Sequence, residues 1–255
     1  MTFEYVSVDE AIGRPGLRMI VVGGTPSPWG EAAKGFFHVK KLDWVAVRLD
    51  YRDEKLKAWA GQRSGPVAFL DGERPRSGWS EILLLAERLA PSPPLLPADL
   101  ADRALVFGLA HELCGEGGLG WIRRLQLVHA GLNGGDGFAE PVARYLAKKY
   151  GYRAEEAEAY DDRVVGLLAM LAARLRAQEE AGSRYYVGDS LTAVDVYSAT
   201  FMALFKPLPP EQRPNDTGGT AFGVLDDRTE AALDPVLLRH RDMMYAEHLE
   251  LPLSL

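Results

Sequence analysis

RMIVVGGTPSPWGEAAKG, residues 18–35, decides how the rest of the chain is read. It opens on an unbroken apolar run, Met19-Ile20-Val21-Val22, passes through a glycine doublet and a Thr-Pro-Ser-Pro turn, and leaves in a helical pattern. A short apolar run bounded by glycine reads as a buried strand. Proline is welcome in the first turn of a helix, where its missing N–H has no partner to lose. Ser27 therefore stands where a strand hands over to a helix. A serine there has two readings: an N-cap of the helix, or a hydroxyl presented to a ligand at the positive end of the helix dipole. Thr25 is a second hydroxyl in the same turn.

Working outward, the spacing predicts strands over 18–24, 44–50 and 66–70 and helices over 28–41, 53–60 and 80–89. Asp71-Gly72 signals a hairpin, with a short fourth strand over 73–76. The order β-α-β-α-β-β-α is thioredoxin-like, but the turn carries TPSP where a thioredoxin has two cysteines, which argues against disulfide exchange. Residues 1–17 form either an arm packed on the sheet or a frayed end. APSPPLLP, residues 90–97, is half proline and continues neither helix nor central strand, so it marks a boundary. Beyond it only helical spacing is found, over 98–114, 121–132, 140–150, 154–180, 193–205 and 230–249. The expected domains are thus an α/β unit over 18–90 and an all-helical unit over 98–255.

The bulk numbers narrow the function classes. The chain has 255 residues, 47% hydrophobic and 25% charged, which is ordinary globular composition. A net charge of -7 gives no basic face for nucleic acid. No apolar run reaches the about 18 residues of a membrane helix, and the acidic start MTFEYVSVDE lacks a signal-peptide pattern. One cysteine, Cys114, excludes an intrachain disulfide and a cysteine zinc cluster. No metal is expected, and the cytoplasm is the default location. Asn215-Asp216-Thr217 is read as a chance glycosylation match.

Four pieces of sequence, in order, resemble the cytosolic glutathione transferases of the serine type: Ser27-Pro28-Trp29; Gly65-Pro66-Val67; Gly78-Trp79-Ser80-Glu81-Ile82; and Gly188-Asp189-Ser190-Leu191-Thr192-Ala193-Val194-Asp195. The resemblance covers about residues 18–205. The last piece is the most specific, and it is a folding device: a capping box in which Thr192 and Asp195 satisfy each other's N–H groups, with Leu191 and Val196 as a staple. The resemblance implies a glutathione-dependent enzyme, with glutathione as co-substrate and a hydrophobic electrophile as partner, acting as a homodimer. Ser27 would donate a hydrogen bond to the thiolate. Pro66 would be cis, turning the Gly65 backbone toward the cysteinyl group. Ser80 would hold the γ-glutamyl carboxylate and Glu81 the γ-glutamyl ammonium. Gln62 and Arg63 would meet the glycyl carboxylate. Two positions depart from the family's pattern: Gly65 replaces a usual valine, and Trp79 a usual acidic residue or glutamine. Trp29, His111, Cys114 and Trp121 are candidates for the second-substrate pocket between the domains, with plain core positions as the alternative. Tyr185 and Tyr186 face either pocket or core.

Two signals lead elsewhere. Gly115–Gly120 matches G-x-G-x-x-G, yet it follows a helix where a dinucleotide site needs a strand, so it is read as a bend. The loop over 207–219 is longer than a compact helical domain needs and is expected to cover the pocket or to contact a second subunit. Besides a transferase, the sequence leaves open a non-catalytic ligand-binding protein on the same fold, or a narrow-range dehalogenase, isomerase or ether-cleaving lyase.

Overall fold

The computed structural model describes residues 4–217 and 221–255. The chain divides into two units. The first comprises Met1–Leu95, Leu208–Gly218 and Tyr245–Leu255; the second comprises Leu96–Pro207 and Gly219–Met244. Against the expected spans of 18–90 and 98–255, the amino-terminal arm, residues 208–217 of the long late loop and the carboxy-terminal tail all lie with the first unit; the end of that loop, 218–219, lies outside the described residues.

The first unit is built on four strands, β1 (Tyr5–Val6), β2 (Arg18–Val21), β3 (Val45–Arg48) and β4 (Val67–Phe69), in the order β1-β3-β2-β4. β1 and β2 pair parallel to β3, and β4 runs antiparallel to β2. Residues 5–6 thus supply an edge strand, which resolves the arm in favour of packing on the sheet. Helices α1 (Val8–Gly13), α2 (Pro28–Val39), α3 (Glu54–Ala60) and α4 (Trp79–Leu89) alternate with the strands. Ile20, Val47, Leu49, Val67 and Phe69 form one core with Ala11 of α1 and Leu56 and Ala60 of α3. Trp59 stacks on Phe69 with ring centroids 3.8 Å apart. Alternation turns Met19, Val21, Ala46 and Arg48 to the opposite face, and α2 packs on α4.

The strand predicted over 73–76 shrinks to a single antiparallel bridge, Ala68 to Arg76. Pro75 has no N–H to give a ladder, and the flanking Glu73 and Arg76 pair with each other instead. The segment still runs against β4 and so carries the chain back to the end of the sheet where β2 finishes.

The second unit is helical: α5 (Leu100–Cys114), α6 (Leu119–Leu132), α7 (Glu140–Tyr150), α8 (Ala157–Glu180), α9 (Ala193–Phe201), α10 (Asp227–Ala232) and α11 (Pro235–Glu247), with short 3₁₀ turns before α8 and after α9. The last residues of α11, from Tyr245, belong to the first unit. The single helix predicted over 230–249 is two helices. Pro235 cannot continue α10, and the Asp234 carboxylate accepts the Val236 N–H at 2.9 Å to start α11.

The Gly188–Asp195 motif caps α9 as a network. Asp195 is fully buried. Its Oδ2 accepts the Thr192 N–H and hydroxyl, both at 2.8 Å, and its Oδ1 accepts the Tyr186 N–H and His240 Nε2, both at 2.9 Å. The expected capping box of Thr192 and Asp195 is present at the start of α9, and the Thr192 hydroxyl also reaches the Asp195 carboxylate. Tyr185 and Tyr186 are both core residues.

Candidate active site at the end of the central strands

β2 ends at Val21 beside Arg48, the last residue of β3. Gly23 and Gly24 follow, and the structure explains the doublet. A Cβ on Gly23 would stand 2.6 Å from Arg48 Nε, and one on Gly24, whose φ is +71°, 2.8 Å from both Arg48 Nη2 and Thr217 Oγ1. The Arg48 side chain crosses this turn and lies over the Tyr5 ring, 6.0 Å from its centroid. The Gly24 carbonyl is a hub. It accepts the Thr217 N–H at 2.8 Å, the Thr217 hydroxyl at 3.0 Å and the Thr25 hydroxyl at 2.8 Å.

Ser27 occupies the N-cap position of α2. Its N–H donates to the Thr25 carbonyl and its carbonyl accepts the Glu31 N–H, both at 2.8 Å. The backbone alone does the capping, because the Ser27 side chain makes no hydrogen bond to the helix. The residue is half-buried, and its hydroxyl has no partner among the described residues. Serine is a preferred cap because its side chain satisfies an N–H of the first turn; here that use is not made. The result is a hydroxyl donor with no partner among the described residues, at the positive end of a twelve-residue helix.

The turn into β4 joins the same end of the sheet. The Gly65–Pro66 bond is cis. A Cβ on Gly65 would meet the Ile20 carbonyl at 3.4 Å, an ordinary contact, so the position has room for a side chain. Val67 points its side chain into the core and pairs with Ile20 of β2 in the antiparallel ladder. Gln62 is half-buried. Arg63 is tied to α3: its guanidinium donates to the Tyr51 carbonyl at 2.6 Å and pairs with Glu54, which holds the Glu54 carboxyl below its ordinary range.

The chain returns to this end through Arg76 and enters α4 at Trp79. Gly78 is the N-cap, and the cap is built from one side: Glu81 Oε2 accepts the Gly78 N–H at 3.0 Å and the Ser77 N–H at 3.3 Å, while Oε1 accepts from Arg74 at 2.6 Å. Arg74 first, then the Gly78 N–H, hold the Glu81 carboxyl below its usual range. A ligand ammonium would therefore share Glu81 with Arg74. Ser80, the second residue of α4, is half-buried. Its hydroxyl and the N–H groups of Ser80 and Glu81 have no partner among the described residues, which suits a carboxylate.

The remaining candidates divide. Trp29 is half-buried in the first turn of α2. In the second unit, Cys114 is 3% exposed and donates its thiol to the Ala110 carbonyl; burial pushes its pKa well up. Trp121 donates its indole N–H to the Tyr150 carbonyl at 3.2 Å and stacks edge-on with the Tyr150 ring. The exposed His111 folds over the Gly115 bend, where a Cβ would stand 2.2 Å from its Nδ1. Gly115–Gly118 is that bend between α5 and α6. Arg48 and Thr217 are the residues local reading missed. The Gly23-Gly24 doublet signals a close approach, but nothing local says by what. Among the described residues no group of His, Cys, Asp and Glu is placed to hold a metal ion, and no helix is long and apolar enough to cross a membrane.

No family model and no curated relative matches the chain. Solved structures do. A glutathione S-transferase from Methylobacterium radiotolerans, in complex with glutathione sulfonate, superposes with a TM-score of 0.61 at 21% identity, covering 91% of each chain. A second, from Methylobacillus flagellatus with glutathione bound, gives 0.61 at 13% identity over 90% of this chain and 94% of that one. The β-etherase LigF from Sphingobium sp. strain SYK-6 gives 0.58 at 15% identity over 89% and 99%. The chain has the glutathione transferase fold, a thioredoxin-like sheet followed by a helical unit.

Proposed function

We propose that this protein is a serine-type, glutathione-dependent enzyme that activates the glutathione thiol for attack on an electrophilic small molecule or for reduction of a peroxide. The observation that carries the reading is the unbonded Ser27 hydroxyl at the N-terminus of α2. A free thiol with a pKa near about 8.5 is mostly protonated at neutral pH. A hydroxyl donor and a helix N-terminus both favour its thiolate. In this reading Ser27 is never acylated; it donates to the substrate's sulfur. The Gly65 backbone pairs with the cysteinyl unit, and Ser80 with the open N–H groups of α4 takes the γ-glutamyl carboxylate. The solved neighbours that carry glutathione or its sulfonate support the choice of co-substrate. We further take the enzyme to be a cytoplasmic homodimer, with no metal.

Calorimetric titration tests the binding half. Glutathione should bind with saturable heat, and cysteinylglycine, which lacks the γ-glutamyl carboxylate, should bind far more weakly. No saturable heat into the tens-of-millimolar range would sink the proposal. The engagement of Arg63 by Glu54 and of Glu81 by Arg74 favours a second reading, a glutathione-fold binding protein without catalysis. That reading gains if glutathione binds with an unaltered thiol.

A further inference from the structure

Glu31 and Lys34 lie one turn apart in α2, and both are buried: their side chains are 6% and 8% exposed. Lys34 Nζ sits 2.7 Å from Glu31 Oε1 and 2.7 Å from the Ser254 carbonyl of the carboxy-terminal tail. The tail is itself fastened to the long late loop, since the Leu253 N–H donates to the Gln212 carbonyl at 2.7 Å. Two charges removed from water are costly, and apolar residues of similar volume serve stability as well. What distinguishes this pair is its place. The Glu31 N–H is bonded to the Ser27 carbonyl, so the carboxylate belongs to the first turn of the helix whose N-terminus carries the free Ser27 hydroxyl. A negative charge there uses the same helix field that would stabilise a thiolate, and like charges oppose each other's ionisation. Lys34 answers it with the opposite sign.

The other charged and titratable groups near Glu31 come from three elements. Tyr5 on β1 has its phenol pushed up to about 12, by burial first and then by the Glu31 charge, with Arg48 acting against both. Arg48 of β3 lies over the Tyr5 ring, and Glu250 acts on Glu31 from the tail. Burial raises the Glu31 carboxyl, Lys34 lowers it, and Glu250 adds to the rise.

We propose that Glu31 and Lys34 set the electrostatic potential at Ser27, and hence the acidity of a thiol held there. Glu31 opposes ionisation, and Lys34, seated by the tail carbonyl, cancels it. The consequence for catalysis rests on the glutathione reading; the potential is a property of this chain and is measurable without glutathione.

The experiment places a reporter thiol at the site by Ser27→Cys in the full chain. The pKa of the introduced thiol is read from the pH dependence of its alkylation by iodoacetamide; Cys114, buried, stays silent. Adding Glu31→Gln should lower that pKa by about 0.5–1, and adding Lys34→Met should raise it by a similar amount above the pH at which Glu31 ionises. A change below about 0.2 with Glu31→Gln, or movement of both variants in one direction, overturns the proposal. Should Lys34→Met fail to fold by circular dichroism, the near-isosteric Glu31→Gln decides the sign alone. A glutathione titration of the parent protein runs beside it: absent binding there would remove the enzymatic reading while the reporter result stands on its own.

Discussion

Replacing Asp195 with alanine removes the acceptor on which four buried donors converge. The Thr192 and Tyr186 N–H groups, the Thr192 hydroxyl and His240 Nε2 all donate to its two oxygens at 2.8–2.9 Å. Each buried donor left unpaired costs about 1–3 kcal/mol. The Thr192 hydroxyl can turn to another acceptor, but His240 gains nothing by moving its proton to Nδ1, which is buried and has no partner either. Two backbone N–H groups cannot be rescued in that way. Allowing also for the lost cap of α9, the expected loss is about 3–5 kcal/mol, in the range for breaking a buried charged network. For a chain of this size that corresponds to a fall in melting temperature of about 6–20 °C. Asp195→Asn should fall between the two, because one amide oxygen still accepts on one side while the NH₂ opposes the donors on the other. Urea unfolding followed by circular dichroism, with a thermal scan beside it, gives both quantities. A loss below about 1 kcal/mol for Asp195→Ala would mean that the four donors have other partners and that Asp195 does not hold this network together.

Three further outcomes follow from the geometry. Gly24→Ala should destabilise the first unit by about 1–2 kcal/mol, because its φ is left-handed and the new Cβ would meet Arg48 and Thr217 at 2.8 Å; an unchanged urea midpoint would contradict this. Cys114 should resist an aromatic disulfide reagent in the native protein and react on unfolding, because the thiol is buried, bonded to Ala110 and raised in pKa; rapid native labelling would contradict it. The Glu81 carboxyl is lowered by Arg74 and by the α4 N-terminus, so its stabilising effect is full above the ordinary carboxylate pKa and is lost as pH falls through the depressed folded value. Glu81→Gln should thus be less stable than the parent near neutral pH, and the difference should close in acid. A pH-independent difference in melting temperature would rule that out.

Local pattern carried much of the fold. The strands over 18–24 and 66–70 are apolar runs bounded by glycine or proline, and VAVR alternates as a half-buried strand does, so β2, β3 and β4 were legible. Two residues, Tyr5 and Val6, are too few to show a period, and their strand exists only because β3 offers an open edge. Pro75 and Pro235 carried the signals that dissolve a fourth strand and split the last helix; apolar spacing around them masked both. At the candidate site, residue types were legible and their state was not. Serine before a helix reads equally as cap or as donor, and only side-chain geometry shows that the backbone does the capping. Arg63 and Glu81 read as ligand-facing charges, but each is engaged by a neighbour of opposite charge. Thr217 reaches Gly24 from the other end of the chain, a juxtaposition that no local window contains.

In the proposed enzyme the Ser27 hydroxyl lowers the pKa of a bound thiol. The direct measurement is the pKa of protein-bound glutathione, followed by its ultraviolet thiolate absorbance across pH, in the parent protein and in Ser27→Ala. The expected value is well below that of free glutathione in the parent, with a return of about 1 or more toward the free value in the variant and binding retained. Bound glutathione with the same thiol pKa in both proteins would contradict it.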